Sequence, residues 1–348
     1  MLEREANFRI SWAECLGDRK REDRTASMRN FSSDSSNPDI HIIAKNHIIY
    51  NSRKTKITIG EIAVNNKKKV LIVGGDLRQV YCSYRLAQSF DVYITGFDDG
   101  HLAVSDIKKA DASMKREFDY IVLPVPAIKD RGYINAPFSE KEISVEYVKE
   151  FLKPSGIVFG GKLNESTKEL FGGYKVYDYT QREEFNILNA IPSAEGAVQI
   201  ALEELPVTLN GEKILITGYG RIGRSLAVIL KGFGADVYVS ARSATSQAWA
   251  KLAGVKMCKE ISGDYRLIFN TVPEMLFTDK VFRRLNSDVT IIDLASKPGG
   301  VDFDAASQAG IKVIWALGLP GKTAPVTSGE IIADIICTII NERSAAYE

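Results

Sequence analysis

The 348-residue sequence predicts an α/β protein of two doubly wound lobes, joined by hinge helices around a cleft. Three observations predict it. Apolar runs such as "KKKVLIVGGD", "FDYIVLPVPA" and "DVTIIDLA" lack polar alternation, as strands do when helices cover both faces of a parallel sheet. Glycine turns follow two of the runs, at residues 74–75 and 218–223. A segment of alanines and long apolar residues, "SAEGAVQIALEEL", stands between the two sets of strands, where a connecting helix belongs.

Residues 1–66 differ from the rest. "DRKREDRTASMRNFSSDSSNPD" is charged, serine-rich and nearly free of periodic apolar residues, which predicts a poorly ordered extension. "IHIIAKNHIIY" within it suits an edge strand or a short helix. The extension reads either as a regulatory or partner-binding arm, or as a segment with no folded role. The first lobe, 67–190, takes strands at "KKKVLIVGGD", "FDVYITGFDD" and "FDYIVLPVPA", a helix across "SEKEISVEYVKEFL", and strands at "SGIVFGG" and "YKVYDY". A hinge helix over 193–205 begins with Ser193 as its N-cap and stops before Pro206. The second lobe, 191–325, opens with the βαβ unit "EKILITGYGRIGRSLAVILKGFGADVYVSARS". It continues through strands in "YRLIFNTV", "DVTIIDLA" and "IKVIWA" to a loop, "ALGLPGKTAP". Residues 326–348 contain an apolar helix, "SGEIIADIICTIINE", expected to pack back on the lobes.

Composition removes several function classes. A net charge of +1 gives no bias toward nucleic acid or an acidic membrane. The four cysteines stand far apart with no CxxC pair, which argues against a zinc or disulfide framework, and no metal is expected. No apolar run reaches the roughly 18 residues of a membrane span. The opening "MLEREANFRISWAECLGDRKREDR" has no apolar signal region, so a cytoplasmic protein is expected.

The chemistry starts at "GYGRIG". Gly218, Gly220 and Gly223 have GxGxxG spacing, follow the strand "KILIT" and open a helix, the context that makes the pattern a Rossmann dinucleotide fingerprint. Gly218 permits the turn, Gly220 admits the pyrophosphate, and Gly223 lets helix and strand approach. Amides near Arg221 and Ile222 then face the pyrophosphate at the positive end of the helix. In NAD-binding proteins an acid ends the second strand and accepts from the ribose. Here Ala241 and Arg242 stand there. Ala241 removes the charge that would repel a 2′-phosphate, and Arg242 with Ser243 supplies donors, so the expected cofactor is NADP(H). The plainer alternative makes Arg242 a solvated loop charge. Thr271, Val272 and Pro273 end the fourth strand, at the edge that flanks a nucleotide. Asp293, Ala295 and Ser296 end the next and are candidates to border the nicotinamide, with Asp293 equally readable as a loop cap.

The first glycine turn reads Gly74-Gly75-Asp76 and lacks the third glycine. Asp76 would sit where a phosphate wants amides. This lobe is therefore read as the substrate side, with Asp76 and Arg78 at the site and Arg78 available to a carboxylate. The alternative is an Asp76–Arg78 pair that only stabilises the turn. A two-lobed nicotinamide protein could be a D-2-hydroxyacid dehydrogenase, an alanine dehydrogenase relative or a homocysteine hydrolase relative. The first two use a histidine proton shuttle. This chain's histidines are His41, His47 and His101, with none in the second lobe or hinge, so ordinary hydroxyacid oxidation is not expected.

"VLIVGGDLRQ", "YIVLPVPA", "NAIPSAEGAVQIA", "GYGRIG", "VSARS", "DLASKPGGVDF" and "GLPGKTAPVTSGEII", in this order, resemble the family of the dipicolinate synthase A subunit from spore-forming bacteria. The resemblance runs from Lys67 to Asn341. It implies NADP-linked oxidation of a dihydrodipicolinate-type ring to pyridine-2,6-dicarboxylate during sporulation, in the mother-cell cytoplasm, with a flavoprotein-like B subunit for a partner. Aromatising a dihydropyridine releases a hydride and a proton, and ring stabilisation lessens the need for acid–base help. The main task is then to hold the donor carbon about 3–3.5 Å from nicotinamide C4. A dicarboxylate needs clamps at both ends. Arg78 and Lys297 are candidates, with the amides of Gly299 and Gly300 and the side chains of Asn189 and Ser193 beside them. Glu195 is the candidate proton acceptor, or else a carboxylate placed for the helix dipole. Two rivals remain: an NADPH-dependent imine or keto-acid reductase on the same scaffold, and a non-catalytic NADP-binding subunit that positions a flavoprotein. A homo-oligomer stays open.

Overall fold

The structure is a computed structural model that describes residues 67–98, 107–129 and 132–345. The extension read over 1–66, and with it His41 and His47, lies outside the described residues, as does His101. The first lobe holds strands β1 (Lys69–Val73), β2 (Asp91–Thr95), β3 (Lys108–Lys109), β4 (Phe118–Val122), β5 (Leu152–Gly160) and β6 (Lys175–Asp178). Its helices are α1 (Leu77–Leu86), α2 (Val145–Lys149) and α3 (Glu165–Glu169). Helix α4 (Glu183–Glu204) leads into the second lobe, with β7 (Lys213–Thr217), β8 (Asp236–Ser240), β9 (Lys256–Met257), β10 (Leu267–Asn270), β11 (Thr290–Asp293) and β12 (Lys312–Trp315). Between and after them lie α5 (Arg221–Gly232), α6 (Ala244–Leu252), α7 (Asp279–Phe282), α8 (Phe303–Gln308), α9 (Leu319–Thr323) and α10 (Pro325–Ala345).

Each lobe carries a six-stranded sheet, ordered β3-β2-β1-β4-β5-β6 and β12-β11-β10-β7-β8-β9. Every neighbouring pair is parallel. Numbered within its own lobe, each sheet reads 3-2-1-4-5-6, the doubly wound order whose ligand crevice lies where the order reverses. Those points are β1/β4 and β7/β10. The unbroken apolar runs have a direct cause. Along β1, Val70 and Ile72 enter one core while Leu71 and Val73 enter another on the opposite face. In β7, Ile214 and Ile216 likewise face away from Leu215. Both faces exclude water, so neither can be polar.

Four elements differ from the sequence reading. The hinge helix α4 starts at Glu183, ten positions before Ser193, and carries Pro192 in its interior. Proline lacks the N–H of a helix interior position, which makes "NAIPSAEG" look like a boundary. Pro192, Ser193 and Ala194 are buried, and tertiary packing carries the helix through. The helix expected across "SEKEISVEYVKEFL" is only five residues long, because Ser144 caps it and Tyr133 bridges Ser144. Strand β5 begins earlier than expected, at Leu152. "ALGLPGKTAP" contains a short helix, α9, where only a loop was expected.

Helix α10 packs along α1. Ile331, Ile332, Ile335, Ile336, Ile339 and Ile340 join Val80, Cys82 and Leu86 in one buried cluster with the first sheet. Gly329 permits the approach, since a Cβ there would lie 2.8 Å from the Cys82 amide nitrogen and closer still to the Arg78 carbonyl.

Candidate functional site

The three fingerprint glycines have three distinct surroundings. Gly218 adopts φ +86°, a left-handed conformation, and a Cβ there would strike Thr271. Gly223 is buried, and a Cβ there would overlap the Gly218 carbonyl. Gly220 faces open space within 4 Å. It is also the N-cap of α5 and offers no side-chain cap, so the first amides of that helix are left to an external acceptor. Turn, packing and open approach are what a pyrophosphate requires of the three positions. The backbone at Arg221 and Ile222 follows directly, while the Arg221 guanidinium pairs with Glu183 at 2.6 Å, at the start of α4.

A buried polar network ties the carboxyl ends of β7, β10 and β11. Thr217 Oγ1 donates to Asn270 Oδ1 at 2.6 Å, and Asn270 Nδ2 donates to Asp293 Oδ1 at 2.8 Å. The same Asn270 side chain accepts from the Val272 amide and donates to the Val272 carbonyl, which fixes the bend into Pro273. Asp293 also accepts from the amides of Ala295 and Gly300, each at 3.0 Å. All three network side chains are at most 1% exposed and fully engaged. Asp293 therefore shapes the 294–300 loop from beneath, and the expectation that it borders the nicotinamide is corrected to the loop-cap reading. Ala295 is buried too. The Gly300 amide is taken by Asp293 and the Gly299 amide by the Ser296 carbonyl, so neither is free to clamp a carboxylate. Ser296 and Lys297 are exposed at the loop crest. Thr271 anchors its loop by donating from Oγ1 to the Thr217 carbonyl at 2.8 Å.

Beyond β8, Ser243 caps α6 by accepting from the Ser246 amide at 3.1 Å. Arg242 is exposed and forms an ion pair with Glu274, which follows Pro273 in the loop after β10. Nearby, the Arg224 guanidinium stacks 4.6 Å from the Trp249 ring centroid. The sequence reading singled out neither Glu274 nor Arg224. Glu274 stands one residue past a named strand edge, but only the strand order brings the loops after β8 and β10 to the same turn.

In the first lobe Asp76 caps α1, accepting from the Arg78 amide at 3.0 Å. Its carboxylate also takes the Arg78 guanidinium at 2.7 Å, and that guanidinium donates to the Val125 carbonyl at 2.9 Å. The Arg78 side chain is only 14% exposed. Burial disfavours its charge, and the Asp76 hydrogen bonds more than offset that, leaving the pKa raised. Gly321 of α9 lies against the pair: a Cβ there would sit 2.9 Å from both Arg78 Nε and Asp76 Oδ2. Arg78 is thus held in the glycine turn by Asp76 and the Val125 carbonyl, the turn-stabilising alternative, with α9 packed against the pair. Ser193 is no N-cap; its hydroxyl donates to the Asn189 carbonyl at 2.8 Å inside α4. Glu195 is exposed in mid-helix, remote from the dipole's positive end. Gly196, beside it, lets α9 approach, since a Cβ there would lie 3.1 Å from Leu319 Cβ. The blocks "IPSAEG" and "LPGKTAP" build a close helix contact.

Among the described residues no group of His, Cys, Asp or Glu is placed to hold a metal ion, and no helix is long and apolar enough to cross a membrane.

Residues 69–180 match the family described as the N-terminal domain of the dipicolinate synthase A subunit, and 193–305 match "D-isomer specific 2-hydroxyacid dehydrogenase, NAD binding domain". The dipicolinate synthase A subunit of Bacillus subtilis is 31% identical over 288 residues, covering 80% of this chain and 97% of that protein. The crystal structure of that Bacillus subtilis polypeptide superposes with a TM-score of 0.72 at 29% identity, covering 81% of this chain and 98% of that one. The crystal structure of the corresponding polypeptide from Bacillus halodurans gives 0.70 at 30% identity, covering 78% and 97%. Residues matching a dehydrogenase-type NAD-binding domain follow residues matching the N-terminal domain of these synthases, and the chain belongs to the family of the dipicolinate synthase A subunit.

Proposed function

We propose that this chain is an NADP-linked oxidoreductase that converts a dihydrodipicolinate-type ring to dipicolinate, working beside a flavoprotein-like B subunit. Family membership supports the substrate class. The observation that carries the cofactor choice is Arg242, exposed at the end of β8, where Ala241 leaves no acid.

The glycine turn fits a dinucleotide because Gly220 opens onto free space at an uncapped helix start. Gly218, Gly220, Arg221, Ile222 and Gly223 would hold the pyrophosphate through backbone groups. Arg242 and Ser243 would hold the 2′-phosphate. Thr271, Val272, Pro273 and Ser296 would border the nucleotide. When bound, the nicotinamide supplies the hydride acceptor. Lys297, exposed on the 294–300 loop, would pair with one ring carboxylate. Asp293 and Asn270 act beneath it by keeping that loop in one conformation.

The test is an assay of the purified chain on freshly made dihydropyridine dicarboxylate with NADP+, with and without the flavoprotein partner, following the pyridine dicarboxylate by ultraviolet absorbance. Turnover to the aromatic diacid is expected. A reduced acid as product, or no turnover in either arm, would remove the proposal. Arg242→Ala should raise the NADPH dissociation constant by about 10- to 100-fold, the worth of one charge-assisted hydrogen bond, with a much smaller effect on NADH.

A further inference from the structure

The Arg242–Glu274 ion pair joins loops on either side of the fingerprint turn. Strand β7 lies between β8 and β10, Arg242 follows β8, and Glu274 follows β10. The pair therefore crosses the carboxyl edge of the sheet at the point where the strand order reverses, which is where open α/β sheets receive a dinucleotide. The side chains are 70% and 63% exposed. A pair this exposed contributes little to stability, so the fold does not call for it.

We propose that Glu274 is a specificity-determining residue, setting how strongly the site prefers the 2′-phosphorylated dinucleotide over the unphosphorylated one. The inference rests on the reading of Arg242 as the phosphate's partner. Ala241 leaves the end of β8 without the carboxylate that ordinarily accepts from a ribose hydroxyl, and Glu274 brings one to the same guanidinium from the opposite loop. With a 2′-phosphate, nearly doubly charged at neutral pH, the carboxylate must yield the guanidinium and then stands near a like charge. With a 2′-hydroxyl, the carboxylate keeps its ion pair and accepts a hydrogen bond from the hydroxyl. Arg242 favours one ligand and Glu274 the other, so discrimination is graded.

The experiment measures dissociation constants of NADPH and NADH for the wild type, Glu274→Gln and Arg242→Ala, by quenching of intrinsic fluorescence at fixed ionic strength. Glutamine keeps the size and an acceptor oxygen and removes the charge, at an exposed position. In Glu274→Gln the ratio of the NADH to the NADPH dissociation constant should rise about fivefold, the scale of like charges a few ångströms apart in screened water. A ratio that moves by less than about twofold, or moves toward NADH, overturns the inference. The Arg242→Ala arm separates the two levels. A raised NADPH constant there, with the Glu274→Gln ratio unmoved, removes the role of Glu274 alone. An unchanged NADPH constant in Arg242→Ala removes the phosphate-grip reading and this inference with it.

Discussion

Asp293 and Arg78 both stand at the edge of a sheet, and both are held by partners within the protein. The Asp293 carboxylate is fully buried and satisfies three donors: Asn270 Nδ2 and the amides of Ala295 and Gly300. Replacement by alanine leaves those donors buried and unpaired. Asp293→Ala should therefore lower unfolding free energy by about 3 kcal/mol, read as a shift of the urea midpoint at constant slope. It should also weaken dinucleotide binding, since the 294–300 loop loses its tie. In the sequence, Asp293 and Arg78 each admitted two readings, ligand contact or local brace. Only partners can choose between them. Glycines are more legible because their spacing constrains the backbone: Gly218 takes a left-handed conformation, Gly223 packs against the Gly218 carbonyl, and Gly220 faces open space at a helix start. Glu274 was silent, because an acid one residue past a strand edge acquires meaning only from the loop that meets it.

The helices show where local signals fail. Ser193 read as a start, and the helix runs through it and through Pro192, since burial on α9 and the second lobe's core outweighs one missing backbone donor. The strands were legible because burial on both faces leaves an unbroken apolar signature. Close approaches between helices were hidden as ordinary glycines. Gly329 is the sharpest case, with the Arg78 carbonyl, the Cys82 amide and Tyr81 Cβ around it. Two of these are backbone atoms that cannot turn aside. Gly329→Ala should destabilise by about 2 kcal/mol through overpacking, and thermal unfolding should show a lowered midpoint. An unaltered midpoint would mean that α10 can slide on α1 without loss.

Across the whole molecule, the two-lobed doubly wound architecture was the most legible feature, and the internal use of "IPSAEG" and "LPGKTAP" the least. The junction of the last helix with the first lobe also sets a pH response. Cys82, with no exposed surface, has its thiol pKa pushed far above the ordinary 9.0 by burial, with Cys337 and Asp334 adding to the shift. Tyr179, buried at the end of the first sheet, is raised from 10.0, again by burial first. The unfolded chain releases these protons above its ordinary pKa values and the folded chain retains them. Stability should therefore hold below about pH 9 and then fall as pH rises, by about 1.4 kcal/mol per pH unit for each such group once ionised in the unfolded state. Denaturation midpoints from pH 8 to 11 check the sign, and Cys82→Ala should remove the first part of the slope.

That last helix has a consequence for biosynthesis. Six isoleucines between positions 331 and 340 complete an apolar layer whose other side is made by the strands of the first lobe. A ribosome delivers those strands well before the isoleucines, with the whole second sheet in between. The nascent first lobe must wait with a bare flank until its neighbour has emerged, so the two lobes cannot be completed in the order in which they are made.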